Sequence, residues 1–381
     1  MTEPRGAPRL LASANSLWNL SNFRGGLLRG LAAAGFEPVL AAAPADEPVA
    51  LPWCTAALPL RSDGLNPAAD ALLLARFVRL LRRERPAALI SWTAKPNIYG
   101  AMAARLTGIP AFPNVSGLGT AFIRGGLLQR LLSGLYRTAF ARCPAVFFQN
   151  GEDAALFVGL GLVRHEQVRL LPGSGVDLAR FAARPLPAEE GPLRLLFVGR
   201  LLGDKGVREL VEAARLLKAE GAGVRFQLLG FVGAQNRTAI TKDELDGWLA
   251  EDLLDYLGTA EDVRPALAQA HGVVLPSYRE GLPRSLLEAA AVGRPLLASD
   301  VPGCRDVVED GVNGLLFPVR SAEGLAAAVR QFLALTPDER QRMGDAARRT
   351  AEERFSEEQV VAAYLKELAP LLRAGGTRSD G

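Results

Sequence analysis

Short apolar runs alternate along this chain with amphipathic stretches of helical period, and the alternation starts twice. In the first half, Arg9–Ala14, Glu37–Ala42, Cys54–Leu60, Ala87–Trp92, Ala111–Val115, Val146–Gln149 and Val168–Leu171 read as buried strands separated by helices, the pattern of strand–helix units around a parallel sheet. Ala182–Pro192, rich in Pro and in small or acidic residues, reads as a linker. Beyond it, Leu193–Val198, Val224–Leu229, Leu254–Leu257, Val273–Leu275, Pro295–Ala298 and Leu315–Phe317 form a second set of strands, with helices expected over about 206–219, 242–250, 262–270, 283–292, 303–309 and 322–334. Ser356–Leu372 carries apolar residues at helical spacing and reads as a closing helix. The pattern predicts an α/β protein of two Rossmann-like domains, 1–187 and 188–355, whose parallel sheets face each other across a ligand-binding cleft. A helix over 356–373 packs back on the first domain and a tail covers 374–381.

A length of 381 residues suits two domains, and 49% hydrophobic with 22% charged residues excludes disordered and fibrous classes. The cysteines Cys54, Cys143 and Cys304 are far apart and form no C-x-x-C pair, so neither a disulfide framework nor a zinc site is expected, and they read as small buried residues. Met1–Pro8 is polar, Leu10–Ala12 is too short for a secretory segment, and arginines interrupt every leucine-rich stretch before it reaches a membrane-spanning length. A cytoplasmic location is expected.

Charge separates the halves. Residues 1–190 hold 20 Lys and Arg against 13 Asp and Glu, whereas 191–381 hold 24 against 28. The basic excess recurs beside leucines, at Arg76, Arg79, Arg82, Arg83 and Arg85 and again at Arg124, Arg130, Arg137 and Arg142. Solvated helix faces have this pattern, and so does a surface that rests on anionic lipid or phosphate. Aromatic residues are not interleaved with the arginines, so nucleic acid is not an expected partner.

Two segments carry candidate chemistry. Leu195–Arg200 ends a buried strand, and Lys205-Gly206 follows where a helix begins. Backbone N–H groups at that helix start, flanked by Arg200 and Lys205, suit an anion such as a diphosphate. The G-x-x-x-x-G-K-[ST] spacing of nucleotide hydrolases is absent. The stronger constellation spans Pro276–Ala289. There Glu280 lies in a loop after a strand, Gly281 permits close approach of a ligand, Pro283 suits a first helical turn, and Glu288 lies further along the helix. Carboxylates accept paired hydrogen bonds from sugar or ribose hydroxyls, while the N–H groups of Gly281 and Leu282 suit phosphate or sugar oxygen. Glu288 stands in an otherwise apolar stretch, where an unpartnered carboxylate is costly.

P-S-x-x-E-G-x-P-x-x-x-x-E-A (Pro276–Ala289), G-R-L-x-x-x-K-G (Gly199–Gly206) and G-x-G-V-D (Gly173–Asp177) together resemble the motifs of retaining glycosyltransferases of family 4, which have the GT-B fold. W-N-L-S-N-F-R (Trp18–Arg24), K-P-N-I-Y-G (Lys95–Gly100) and N-V-S-G-L-G (Asn114–Gly119) are similar to the bacterial branch that adds N-acetylgalactosamine to polyprenyl-diphosphate-linked sugars. The resemblance implies catalytic roles for Glu280, Arg200 and Lys205. Arg200 and Lys205 would bind the donor diphosphate, Glu280 the donor sugar beside Gly281, Leu282 and Pro283, and Glu288 the ribose. On the acceptor side it points to Lys95, Asn97, Asn114, Ser116, Gly117 and Arg130. A histidine common near the donor sugar in relatives has no counterpart, since His165 and His271 are the only two; Ser116 or Asn114 stands in that space.

By the same resemblance the donor is a UDP-sugar and the acceptor a lipid-linked glycan. No D-x-D triplet occurs, so neither a metal nor another cofactor is expected, and cationic groups with a helix N-terminus neutralise the leaving group. The amphipathic stretch Ile123–Arg142 reads either as a core helix with solvated arginines or as one that docks on the anionic inner face of the cytoplasmic membrane through Leu127, Leu128, Leu131, Leu132 and Leu135. A UDP-sugar epimerase of the same architecture and a non-catalytic sugar-nucleotide binder would hold the same donor.

Overall fold

The computed structural model describes residues 7–44, 52–60, 66–117, 126–234 and 236–376. The chain divides into two units, Met1–Ser174 with Glu357–Gly381, and Gly175–Ser356. The first contains β1 (Arg9–Ser16), α1 (Leu17–Ala33), β2 (Glu37–Ala43), β3 (Cys54–Ala57), α2 (Pro67–Glu84), β4 (Ala88–Trp92), α3 (Ala101–Thr107), β5 (Ala111–Val115), α4 (Leu127–Phe140), β6 (Val146–Phe148), α5 (Gly151–Gly159) and β7 (Val168–Leu170). Its seven strands run parallel in the order β3-β2-β1-β4-β5-β6-β7.

The second unit contains β8 (Leu193–Val198), α6 (Val207–Ala219), β9 (Val224–Leu229), α7 (Lys242–Ala250), β10 (Leu254–Tyr256), α8 (Arg264–Gln269), β11 (Gly272–Leu275), α9 (Arg284–Val292), β12 (Leu296–Ser299), α10 (Cys304–Val307), β13 (Gly314–Phe317), α11 (Ala322–Ala334) and α12 (Pro337–Arg354). Its six parallel strands are ordered β10-β9-β8-β11-β12-β13. A final helix, α13 (Glu357–Gly376), belongs to the first unit.

Alternation along the strands builds two cores in the first unit. Leu11 and Leu89 join Leu73, Phe77 and Phe140 beneath α2, α3, α4 and α5. Leu10, Ala12, Ile90 and Trp92 point to the opposite face and meet Leu28 of α1 with Tyr364 and Leu368 of α13. The C-terminal helix thus completes one face of the N-terminal sheet. It docks on two glycines one turn apart on α1: a Cβ at Gly26 would overlap the Glu357 carboxylate, and one at Gly30 would lie 2.5 Å from Val361 Cγ2. Tyr364 fixes the contact by stacking 4.2 Å from Phe147 and by accepting the Asn114 Nδ2 hydrogen bond at 3.0 Å.

The expected boundary near residue 188 moves to 174/175, because Ala182–Pro192 is fastened to the second unit. Fully buried Arg294 donates through Nη2 to the carbonyls of Arg184 (2.6 Å) and Pro185 (2.8 Å). Arg340 pairs with Glu189 at 2.7 Å, and the Leu186 N–H donates to Gln341 Oε1. The passages between units lie side by side, with Val176 N–H bonded to Phe355 O at 2.9 Å. Helix α12 has no counterpart among the expected elements, and Cys54 is exposed rather than buried. No described helix is long and apolar enough to cross a membrane.

Replacing Gly30 by Leu is expected to drive α13 off α1 and destabilise the first unit by about 1–3 kcal/mol, the usual cost of overpacking. Chemical denaturation would measure it, and proteolysis should then release the C-terminal helix first.

Candidate functional site

The order of the second sheet reverses direction between β8 and β11, the position at which open α/β sheets leave a crevice outside their carboxyl ends. The loops after these two strands carry the predicted donor residues. After β8, Gly199 leads to exposed Arg200, Leu201 and Leu202 are buried, and a single turn over Gly203–Lys205 places Lys205 before α6. After β11, Pro276 and Ser277 stay buried, and the chain then turns through Tyr278 and Glu280 to Pro283, the residue before α9.

Lys205 and Glu280, 75 residues apart, form an ion pair across this crevice, with side chains 25% and 12% exposed. The contact needs two glycines. Gly206 (φ +71°) faces the Pro276 carbonyl so closely that a Cβ would overlap it, and Gly303 (φ +77°) does the same against Gly281 O. Tyr278 clamps the loops from outside. Its N–H bonds Asp204 O at 2.9 Å, its hydroxyl donates to Glu209 Oε1 of α6 at 2.5 Å, and the Arg320 guanidinium lies 4.6 Å from its ring centre. Burial and then the Glu209 carboxylate push the phenol up to about 12, so it remains a donor at neutral pH.

Glu288 lies one turn along α9 and receives the Arg284 Nε hydrogen bond at 2.7 Å. Burial pushes its carboxyl upward, and the Arg284 charge only partly offsets this. The pair runs cation-first along the helix, the weaker orientation for helix stability, and Arg284 adds positive charge to a first turn that has no acid. An arrangement that does little for the helix is suited to holding a carboxylate in place for a ligand. Gly281, Leu282 and Pro283 are all buried at the same turn. Arg200 forms no ion pair among the described residues. Cys304 is fully buried beside this loop, and burial followed by the Glu280 charge holds its thiol well above the usual range, which rules it out as a nucleophile. Buried His271 accepts the Arg194 N–H through Nδ1 at 3.0 Å, a structural role, and burial lowers its pKa.

The acceptor-side residues are not gathered in the same way. Lys95 pairs with buried Asp70 at 2.9 Å. Ser91 Oγ donates to Asn97 Oδ1 (2.8 Å), Asn97 Nδ2 to Asn114 O (2.7 Å), and Asn114 Nδ2 to Tyr364 OH, a chain that ties β4, β5 and α13 together. Asn97 and Asn114 are thus buried and hydrogen-bonded within the first unit, while Asn114 Oδ1 has no hydrogen-bond partner among the described residues. Ser116 is half-buried, Gly117 is exposed, Leu118 and Gly119 of the same motif lie outside the described residues, and Arg130 is exposed on α4. The first sheet reverses order between β1 and β4. Nothing in the sequence signals Thr93 there, held at φ +67° directly after β4, where a β-branched residue is strained.

A Gly206→Ala change is expected to force apart the Lys205 and Pro276 segments and to abolish ligand binding in the second unit, as read by calorimetry. Tyr278→Phe should keep the fold but destabilise it by about 1.5–3 kcal/mol, the range for a hydrogen bond to a charged group, measured by denaturant unfolding.

Comparison with known proteins identifies the family. Residues 180–350 match the family described as glycosyl transferases group 1, and residues 22–174 match the glycosyl transferase 4-like domain. The chain is 29% identical over 290 residues to a Campylobacter jejuni N,N'-diacetylbacillosaminyl-diphospho-undecaprenol alpha-1,3-N-acetylgalactosaminyltransferase, covering 71% of this chain and 74% of that one. It is 34% identical over 208 residues to the putative colanic acid biosynthesis glycosyltransferase WcaL of Escherichia coli, covering 52% of this chain and about half of that relative. Among solved structures, sucrose-phosphate synthase from Thermosynechococcus elongatus superposes with a TM-score of 0.80 at 19% identity, covering 96% of this chain and all of the other. Anabaena Alr3699/HepE in complex with UDP and glucose gives 0.74 at 17% identity, covering 95% and 99%. The chain belongs to the group 1, family 4 glycosyltransferases of polysaccharide and glycan biosynthesis, with the two Rossmann-like domains of the GT-B fold.

Proposed function

We infer that this glycosyltransferase moves a hexose or N-acetylhexosamine from a UDP-sugar held by the second unit to a hydroxyl of a polyprenyl-diphosphate-linked glycan held by the first. The observation that carries the donor half is the Lys205–Glu280 pair at the β8/β11 crevice, with Glu288 part-buried on the adjoining helix. Lys205 and Arg200 face the donor diphosphate, Glu280 orients the sugar, and Glu288 accepts the ribose hydroxyls. The UDP in the Anabaena structure and the undecaprenol-linked acceptor in the Campylobacter relative's name support the choice of substrates.

In the proposed reaction the acceptor oxygen bonds to the anomeric carbon on the face from which the diphosphate leaves, and the hydroxyl proton passes to the departing diphosphate oxygen. The C–O bond to the diphosphate breaks with its electron pair, and the configuration is retained. Cations and backbone N–H groups stabilise the leaving group without a metal, in keeping with the lack of a D-x-D triplet. On the acceptor side the reading rests on the β1/β4 crevice of the first sheet, with strained Thr93 and, two residues on, Lys95.

A panel of UDP-sugars assayed against polyprenyl-diphosphate-linked acceptors, with anomeric NMR of the product, tests this directly; inverted product or a requirement for divalent cation overturns the mechanism. Lys205→Ala should lower kcat by about 100-fold or more, the typical loss when one group stabilising a developing charge is removed. Hydroxyl binding needs an ionised Glu288, and because burial raises that pKa, donor affinity should fall on acidification at a pH above that of an ordinary glutamate. Glu288→Gln should bind weakly at every pH and lose this acid limb, as read from the pH profile of the donor KM.

A further inference from the structure

A third loop reaches the pair of loops that forms the donor crevice. Strand β13 ends at Phe317, and Pro318, Val319 and Arg320 lead to Ser321, which caps α11 by accepting the Gly324 N–H at 2.9 Å. Arg320 is held at φ +58°. A left-handed backbone presses an ordinary Cβ against its own carbonyl oxygen, and glycine or asparagine would sit there with less strain. The arginine side chain is exposed and has no ion pair among the described residues. Its guanidinium lies instead 4.6 Å from the centre of the Tyr278 ring.

Tyr278 is therefore restrained from two helix starts. Its hydroxyl donates to Glu209 Oε1 in the first turn of α6, while Arg320 covers its ring from the residue before the α11 cap. Glu209 is committed to this phenol, because its other oxygen, Oε2, is buried with no hydrogen-bond partner among the described residues. Helices α6 and α11 pack side by side, and Arg330 of α11 pairs with Glu220 at the end of α6 at 2.6 Å, so the two starting points are themselves fixed. Along the chain Tyr278 stands two residues before Glu280, and its N–H is bonded to Asp204 O, next to Lys205.

A cation over an exposed ring contributes little more than a strained backbone costs, so stability alone does not account for an arginine at this place. We propose that Arg320 is a positioning residue for the donor crevice: stacked on Tyr278, it holds the loop after β11 against the start of α6 and so fixes how Glu280 stands relative to Lys205. The kinetic consequence rests on the proposed reaction, in which Glu280 orients the donor sugar, whereas the restraint on the loop does not. Glu288 takes its hydrogen bond from Arg284 on α9 rather than from Tyr278. The nucleotide part of the donor should therefore be held equally well without Arg320.

Three variants of the full chain separate charge from backbone. Arg320→Asn and Arg320→Gly remove the cation and suit the left-handed conformation, whereas Arg320→Lys keeps both cation and strain. The first two should unfold at the wild-type midpoint or above it. In the protein without ligand, their amides over 203–206 and 276–283 should exchange with deuterium faster than in the wild type, as read by mass spectrometry, and Arg320→Lys should restore most of the protection. Affinity for UDP in calorimetry should stay the same while kcat for sugar transfer falls about tenfold, less than the roughly 100-fold that a misplacement of about 1 Å can cost. Placed in a Tyr278→Leu background, Arg320→Asn should have no further effect on kcat. Unchanged exchange in Arg320→Asn, exchange that Arg320→Lys does not slow again, or wild-type kcat despite faster exchange overturns the proposal. So does a lowered midpoint in both the Asn and the Gly variants, which would make Arg320 a residue of the fold, or a full loss of kcat on adding Arg320→Asn to Tyr278→Leu. Faster exchange reversed by Arg320→Lys, in a protein whose wild type transfers sugar to no acceptor, would leave the restraint standing and count against the proposed reaction.

Discussion

The ion pair between Lys205 and Glu280 can form only because two parallel strands that are neighbours in the sheet, β8 and β11, send their loops out at the point where strand order reverses. Each loop by itself would be a solvated turn. Brought together, they form a polar crevice whose depth is set by backbone approach rather than by side chains: Gly206 against Pro276, and Gly303 against Gly281. Packing of this kind is intolerant of even one methyl group, because a carbonyl oxygen fixed by a β-strand cannot retreat as a flexible side chain can. Tyr278 adds the lateral restraint. Its bonds to Asp204 and Glu209 tie the β11 loop to the start of α6, so the acid and the cation move as one unit.

The first unit meets a different constraint. Its sheet has a hydrophobic face that α1 alone does not cover, and the chain returns from the second unit to supply α13. The glycines at 26 and 30 let the two helices approach closely, and the hydrogen-bonded series Ser91–Asn97–Asn114–Tyr364 joins that helix to the ends of β4 and β5. Polar residues that look like ligand contacts in a motif are here part of the joint between the C-terminal helix and the sheet. Buried amides of this type are costly unless engaged, and three hydrogen bonds link the polar groups here in series, although Asn114 Oδ1 has no partner among the described residues.

These two cases also show what the sequence could and could not reveal. The strands and most helices were legible because burial on one face leaves a period in the pattern, and the donor motifs were legible because they combine Gly, Pro and charge at fixed spacing. Arg284–Glu288 was legible in principle as an i,i+4 pair. The Lys205–Glu280 contact was not, since nothing local links residues 75 apart. Helix α12 escaped because few of its residues are apolar, although a capping box of Thr336 and Glu339, with Pro337 in the first turn, marks its start. The apparent linker misled for the opposite reason: its composition is that of a free segment, yet Arg294 and Arg340, more than a hundred residues later, hold it down. Thr93 in a left-handed conformation has no sequence signature at all, because the residue type argues against it.

Charge accounting gives the donor crevice its character. Lys205 with Glu280 is neutral, as is Arg284 with ionised Glu288, and the same two loops also hold Arg200, Arg279 and Asp204, which together leave one net positive charge. In the proposed reaction an incoming diphosphate would therefore meet a site that is only modestly cationic, and Lys205 would share its charge between the donor and Glu280. That sharing is useful in transfer chemistry. A pocket that stabilised the bound donor as strongly as the transition state would add nothing to turnover, because such binding is uniform. In the proposed reaction, with Glu280 competing for Lys205, the lysine would be drawn most strongly to the diphosphate as negative charge builds on it and the glycosidic bond breaks. The carboxylate would thereby convert a binding cation into one whose contribution grows toward the transition state.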